Sequence, residues 1–246
     1  NASKHELLRC LSLADGREIW RRGHALDIQR NHGMSRTVPA VEGDHVVTLG
    51  PKCQVMCVDA TTGALRWGLD LAKDFGSDIP MWYTGQCPLV ENGVAILAPA
   101  GDETLMMGVD CATGKVRWRT PNSDKLKMSH ASVMPAVIAG ERMYVYAALG
   151  GLVGVSAEPG REGQRLWFAP EWDRSVIAPS PLVLEDGRIF LTAGYGGGGM
   201  MLRVFRDGVA FRVETLASHR SNQGLASEHQ TPVMVGDHIY GVQPND

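Results

Sequence analysis

The sequence predicts an all-β protein: a β-propeller of four-stranded blades repeating about every 49 residues. Three observations carry this. Trp20, Trp67, Trp118 and Trp167 close similar segments and lie 47, 51 and 49 residues apart. A second landmark, Pro39-Ala40-Val41, Pro88-Leu89-Val90, Pro135-Ala136-Val137, Pro181-Leu182-Val183 and Pro232-Val233-Met234, recurs at 49, 47, 46 and 51 residues in fixed phase with the first. The chain also holds 29 Gly and 13 Pro in 246 residues, and no three-to-four-residue apolar period persists over 12 positions. Many short turns without helical periodicity favour strands, and a period near fifty built of short strands is that of propeller blades.

Each unit has a physical logic. After the Pro landmark comes a Gly-containing turn and a short β-rich run such as Val46-Val47-Thr48-Leu49 or Ile189-Phe190-Leu191-Thr192. An alternating strand follows, as in Gln54 to Asp59. Asp59 to Gly63 then reads as a tight hairpin: the Asp carboxylate accepts turn N–H groups, and Gly63 supplies a positive φ. Trp67 follows on the last strand, where its ring can cover the neighbouring blade. One blade cannot bury its own faces, so stability comes from stacking between neighbours. Asp59, Gly63, Trp67, Asp110, Gly114, Trp118, Trp20 and Trp167 are therefore structural positions. Ser12 and Ser156 replace the Asp, and the fifth unit has no Trp four residues after Gly208, so altered packing is expected there.

Composition excludes several classes. Hydrophobic residues make up 44% and charged residues 21%, which is ordinary for a globular domain. Lys plus Arg number 24 against 27 acids, without a basic run, so nucleic acid is not an expected partner. Uncharged stretches such as Met143 to Val155 are too short and Gly-rich to span a bilayer. Cys10, Cys53, Cys57, Cys87 and Cys111 include no vicinal pair, no CxxC and no zinc spacing, and are read as small buried hydrophobes. Asp70 to Phe75 reads as a short helical turn between blades.

The segments Val58-Asp59…Thr62-Gly63…Trp67 and Val109-Asp110…Thr113-Gly114…Trp118 resemble the tryptophan-docking motif of the PQQ-like propeller superfamily. That superfamily includes quinoprotein alcohol dehydrogenases and an outer-membrane assembly lipoprotein. A closer resemblance, to bacterial PQQ-binding-like β-propeller repeat proteins, rests on Thr37 to Val41, Thr48 to Pro51, Met81-Trp82, Ile177 to Pro181 and His238 to Gly241. The resemblance covers nearly the whole chain. It implies rings of seven or eight blades, so residues 1–246 are expected to be one propeller domain forming a partial ring of about five blades, incomplete at both ends. The alternative is a five-bladed ring closed by pairing the first half-blade with the last. The resemblance also implies a periplasmic or extracellular location.

A quinone-dependent dehydrogenase needs a Ca²⁺ ion in carboxylate and amide oxygens, an Asp base and a Trp floor. No such set is evident, so no catalytic residue, metal ligand or cofactor is assigned; PQQ with Ca²⁺ is implied by the resemblance alone. The loops just before each first strand are expected to line a central funnel, with His32, Arg36, Trp82, Gln86, His130, Ser132, Ser180, His229 and Gln230 as ligand-binding candidates. The alternative is that these loops hydrogen-bond one another across the funnel. His130 and His229 occupy similar places, but two histidines alone make no metal site. Gly194-Tyr195-Gly196-Gly197-Gly198-Gly199 has no following Lys-Ser/Thr and reads as a hairpin, not a phosphate loop. The expected function is a non-catalytic scaffold binding a protein or carbohydrate-like ligand at its mouth or rim. The alternative is a PQQ-dependent oxidoreductase of alcohols or sugars.

Overall fold

A computed structural model describes residues 5–29 and 35–243. His32 lies outside the described residues. The chain is built almost wholly of antiparallel strands. β1 (His5–Leu11) and β2 (Glu18–Ala25) form a two-stranded sheet. Four four-stranded sheets follow, each laid down in chain order. The first holds β3 (Ala40–Glu42), β4 (His45–Leu49), β5 (Gln54–Asp59) and β6 (Leu65–Asp70). The second holds β7 (Leu89–Glu91), β8 (Val94–Leu97), β9 (Thr104–Asp110) and β10 (Val116–Pro121). The third is β11 (Met134–Ile138), β12 (Glu141–Ala148), β13 (Gly151–Ser156) and β14 (Arg165–Ala169). The fourth is β15 (Leu182–Val183), β16 (Arg188–Ala193), β17 (Gly198–Asp207) and β18 (Ala210–His219). β19 (Val233–Val235) and β20 (His238–Tyr240) form a second two-stranded sheet, which shares no ladder with β1–β2 among the described residues. The expected helical turn is α1 (Leu71–Phe75), capped by the Asp70 carboxylate, which accepts from the Lys73 N–H.

The middle strands are continuous apolar runs because both of their faces are covered. β9 and β13 are buried over nearly their whole length, so each sheet packs between two others, as neighbour stacking requires. One core runs through the first three sheets, with Leu49, Leu97, Met107 and Tyr146 at its centre. A second joins the third and fourth, with Trp167, Trp172, Ile189 and Leu202.

The hairpin chemistry is visible in the β5–β6 turn. Asp59 Oδ1 accepts from the N–H groups of Thr61 and Thr62 and from Thr62 Oγ1, while Gly63 turns at φ 69°. Asp110 repeats this, accepting from Thr113 and from Arg117 Nε at 2.9 Å. The Arg117 hydrogen bond, then those from Thr113, pull the Asp110 carboxyl down to about 2.

The tryptophans reach across to the next hairpin. Trp20 Nε1 donates to Ala60 O at 3.0 Å, and Trp67 Nε1 to Cys111 O at 2.8 Å. A β-carbon on Gly63, Gly114 or Gly163 would fall 2.6, 2.7 or 2.8 Å from the ring of Trp20, Trp67 or Trp118. Trp167 departs from this series. Like Trp118 on Gly108, it lies against a glycine of its own sheet, Gly154, but Gly208 in the following hairpin faces open space and its Nε1 lies 3.3 Å from Met143 Sδ.

A charge cluster occupies the unit where Ser156 replaces Asp. Buried Glu141 accepts from Ser156 Oγ at 3.3 Å, Arg161 at 2.7 Å and Arg206 at 2.9 Å. Burial pushes the Glu141 carboxyl up, but the two arginines outweigh it and hold it below its ordinary value.

Candidate functional site

The loops preceding β3, β7, β11, β15 and β19 converge at one end of the fold, together with the β16–β17 turn. They enclose a cleft of about 570 Å³ lined by Arg36, Trp82, Gly85, His130, Val176, Ala178, Tyr195, Glu228 and His229. Four of the sequence candidates, Arg36, Trp82, His130 and His229, meet there. The sequence reading passed over Tyr195 and Glu228. Tyr195 stood in the Gly-rich hairpin, where an aromatic ring among glycines was the available signal.

Other candidates serve the scaffold. A relay of hydrogen bonds crosses from loop to loop: Val38 N–H to Cys87 Sγ (3.2 Å), Cys87 N–H to Ser132 Oγ (3.0 Å), Ser132 N–H to Ser180 Oγ (3.0 Å) and Ser180 N–H to Thr231 Oγ1 (2.9 Å). Each backbone donor is satisfied by the side chain of the next unit, which the partly buried N–H groups of Cys87 and Ser132 require. Ser132 and Ser180 are thus engaged in spacing the loops. Gln86 is fully buried; its amide accepts from Ala98 N–H at 3.0 Å and donates to Ala98 O and Tyr146 Oη, each at 3.2 Å. Gln230 is exposed outside the cleft lining, and its carbonyl accepts from Ser227 Oγ at 2.6 Å.

The cleft itself has two physical peculiarities. Trp82 and Tyr195 stack with ring centroids 5.5 Å apart and planes at 30°. Both have left-handed backbone, φ 62° and 53°, and Tyr83 beside Trp82 has φ 74°. Bulky residues rarely adopt this region, and such strain clusters at sites of binding or catalysis.

The second peculiarity is the charge balance. Burial pushes the His130 imidazole below its ordinary value; the Arg36 charge adds to this, the Tyr83 backbone opposes it, and the His229 ring pushes it further down. The neutral form of His130 is therefore favoured. Glu228 is, among the described residues, the single carboxylate in the lining. Among the described residues no group of three or more His, Cys, Asp or Glu is placed to hold a metal ion. Ca²⁺ takes six to eight oxygens, so a Ca²⁺-held quinone does not fit this donor set.

Among the described residues no helix is long and apolar enough to cross a membrane. No curated protein sequence matches the chain. Among solved structures, BamB from Moraxella catarrhalis superposes with a TM-score of 0.60 at 14% identity, over 93% of this chain and 61% of that one. A europium-containing methanol dehydrogenase superposes at 0.57 and 12% identity, over 92% and 60%. The quinohemoprotein alcohol dehydrogenase from Comamonas testosteroni gives 0.51 and 13%, over 86% and 40%. At such identities the likeness is one of fold, and the chain spans about three fifths of the first two structures. A family model described as outer membrane protein assembly factor BamB matches residues 4–246. The chain therefore belongs to this BamB-like family of PQQ-like repeat propellers.

Proposed function

We propose that this chain is a non-catalytic docking propeller whose mouth holds a segment of a partner protein. The observation that carries the reading is the convergence of five successive loops and one turn on a single cleft, whose aromatic residues are held in strained backbone. The relay beneath the mouth fixes the loops relative to one another, so the cleft is preorganised. The family description supports a protein partner and a place in the cell envelope, outside the cytoplasm. A carbohydrate-like ligand would use the same rings by stacking; the charges of both signs around them favour a peptide. The 1–246 segment acts as one propeller domain in this reading.

The competing reading is a quinoprotein-like oxidoreductase, with fold likeness in its favour and the cleft's donor set against it. Two experiments decide. In the first, the purified protein is titrated with PQQ plus Ca²⁺ by calorimetry and assayed for dye-linked alcohol oxidation. In the second, a photo-cross-linking amino acid at His229, with Val209 on the distant exposed hairpin as control, is activated in cells. Docking predicts a protein adduct from position 229 alone and no dye reduction. Saturable quinone binding with dye reduction, or no adduct from 229, overturns it.

A further inference from the structure

We propose that Asn92-Gly93 is a deamidation site, and that the Glu42 carboxylate of the preceding sheet guards it for as long as the two sheets stay stacked. The inference is independent of the docking reading and concerns the end of the strands opposite the cleft.

Reactivity is the first argument. Asn92 is the single Asn followed by Gly in the sequence. In deamidation the Gly93 backbone nitrogen gives up its proton to water or hydroxide and attacks Asn92 Cγ. The N–Cγ bond forms, the Cγ–Nδ2 bond breaks and ammonia leaves. Water then opens the resulting succinimide to aspartate or isoaspartate. Glycine puts no side chain in the way of this attack, and Asn92 is exposed at a hairpin tip, where water reaches it.

Geometry is the second argument. Asn92 and Gly93 alone join β7 to β8, with φ 52° and 70°, the two positive values of a type I′ turn. In such a turn the Asn Cβ lies across the Cα–C bond from the following nitrogen, whereas ring closure needs the two side by side. The turn is also held from outside. Glu42, the last residue of β3, accepts from Asn92 N–H at 2.9 Å through Oε1 and from Gly93 N–H at 2.6 Å through Oε2. Cys111 N–H donates to Gly93 O at 2.9 Å. The proton that must leave is thus held by a carboxylate, whose negative charge opposes an anion forming on the same nitrogen. Not every repeat has this grip: Glu91, the last residue of β7, instead accepts from Tyr144 Oη at 2.9 Å and from Arg142 at 3.3 Å. Deamidation therefore requires the turn to open and Glu42 to let go, so its rate reports local separation of the first two sheets. Isoaspartate adds a backbone atom to a two-residue turn, so a single event keeps the contact from re-forming.

The test incubates the protein, Glu42→Ala, Glu42→Gln and Ser180→Ala at pH 7 beside the free peptide acetyl-Glu-Asn-Gly-Val-amide. The one-dalton mass gain of each Asn-containing tryptic fragment is followed together with an isoaspartate assay. The parent should react at position 92 about tenfold more slowly than the free peptide, because only the opened turn cyclises. Glu42→Ala loses two hydrogen bonds to a charged group and should react about tenfold faster than the parent, ahead of every other Asn. Glu42→Gln keeps the shape and one acceptor, so its rate should fall between the two. Ser180→Ala disturbs the loops at the other end of the strands and should leave the rate unchanged. A parent as fast as the peptide has no guard, and a Glu42→Ala protein no faster than the parent shows that the turn protects itself. A slower Glu42→Ala protein makes the carboxylate a promoter of the reaction. Equal acceleration by Ser180→Ala assigns the rate to global opening, and an earlier mass gain at another Asn removes the site. Should circular dichroism show that Glu42→Ala does not fold, Glu42→Gln decides alone, and a rate equal to the parent's overturns the proposal.

Discussion

The Trp67 ring lies so close to Gly114 of the next sheet's hairpin that a β-carbon there would come within 2.7 Å of its Cγ. The Trp67 indole N–H is meanwhile anchored on Cys111 O. Sheet-to-sheet stacking is thus fastened at a point where one residue must lack a side chain and also hold a positive φ.

Gly114→Ala should therefore be far costlier than the same change at Gly208. Both glycines have positive φ, 72° and 60°, which costs alanine about 1 kcal/mol. Only Gly114 has a ring above it; displacing Trp67 adds an overpacking cost of about 1–3 kcal/mol. Urea midpoints of the two variants measure the difference. Equal midpoints would mean that the ring moves aside freely.

This contrast also explains how much of the fold was legible. The Asp, Gly and Trp positions report backbone geometry and close approach, which are local and repeat with the period, so the sheets follow from the sequence. The missing Trp four residues after Gly208 marks the fifth unit as altered, but it does not say that Trp167 of the fourth unit leaves the Gly208 hairpin uncovered. Whether the ring turns onto Gly154 and Met143 depends on packing across sheets that no spacing encodes.

The loop relay yields a second prediction. Ser180→Ala leaves the Ser132 N–H without its acceptor, and an unsatisfied, partly buried donor costs about 1–3 kcal/mol. Cys87→Ser keeps an acceptor for Val38 N–H and should change stability by less than about 1 kcal/mol. Thermal denaturation of both variants checks this. A Ser180→Ala protein as stable as the parent would show that water replaces the hydroxyl.

Of the cleft, the residues just before each first strand were legible because the Pro landmark marks where the loops end. Which of them face the ligand was not. Ser132 and Ser180 look as available in sequence as His130 and His229, and only the register of the loops separates those that span them from those that point into the cleft. Tyr195 enters from a different connection, the β16–β17 turn, which the repeat does not align with the others.

Glu141 gives a third prediction. Removing its charge by Glu141→Gln leaves Arg161 and Arg206 facing a neutral amide; both arginines are partly exposed, at 49% and 37%, so water takes up their charge and the loss should fall to about 1–2 kcal/mol, below that of a fully buried pair. The folded carboxyl titrates below its unfolded value of 4.5. Its stabilisation is thus fully present above that pH and lost as pH falls through the lower, folded value. A double-mutant cycle with Arg206→Met, run at pH 7 and in acid, should show a coupling at pH 7 that shrinks in acid. A coupling that is constant with pH would rule out the carboxylate as its source.

Glu6 titrates in the opposite sense. Burial raises its carboxyl from 4.5 to about 7, against a hydrogen bond from Ser35 that pulls it down. Glu6 Oε2 lies 3.7 Å from His24 Nε2, and neither atom has a hydrogen-bond partner among the described residues. The folded state therefore holds a proton that the unfolded chain releases near 4.5, so this group makes stability fall as pH rises from about 4.5 to about 7. A shift of this size corresponds to about 3 kcal/mol at most, reduced where water reaches the site. Glu6→Gln, which stays neutral, should stabilise the protein at pH 8 and leave it nearly unchanged at pH 4. Chemical denaturation across that range checks it; a variant equally destabilised at both pH values would mean that Glu6 acts through its shape against Gly50 and not through its charge.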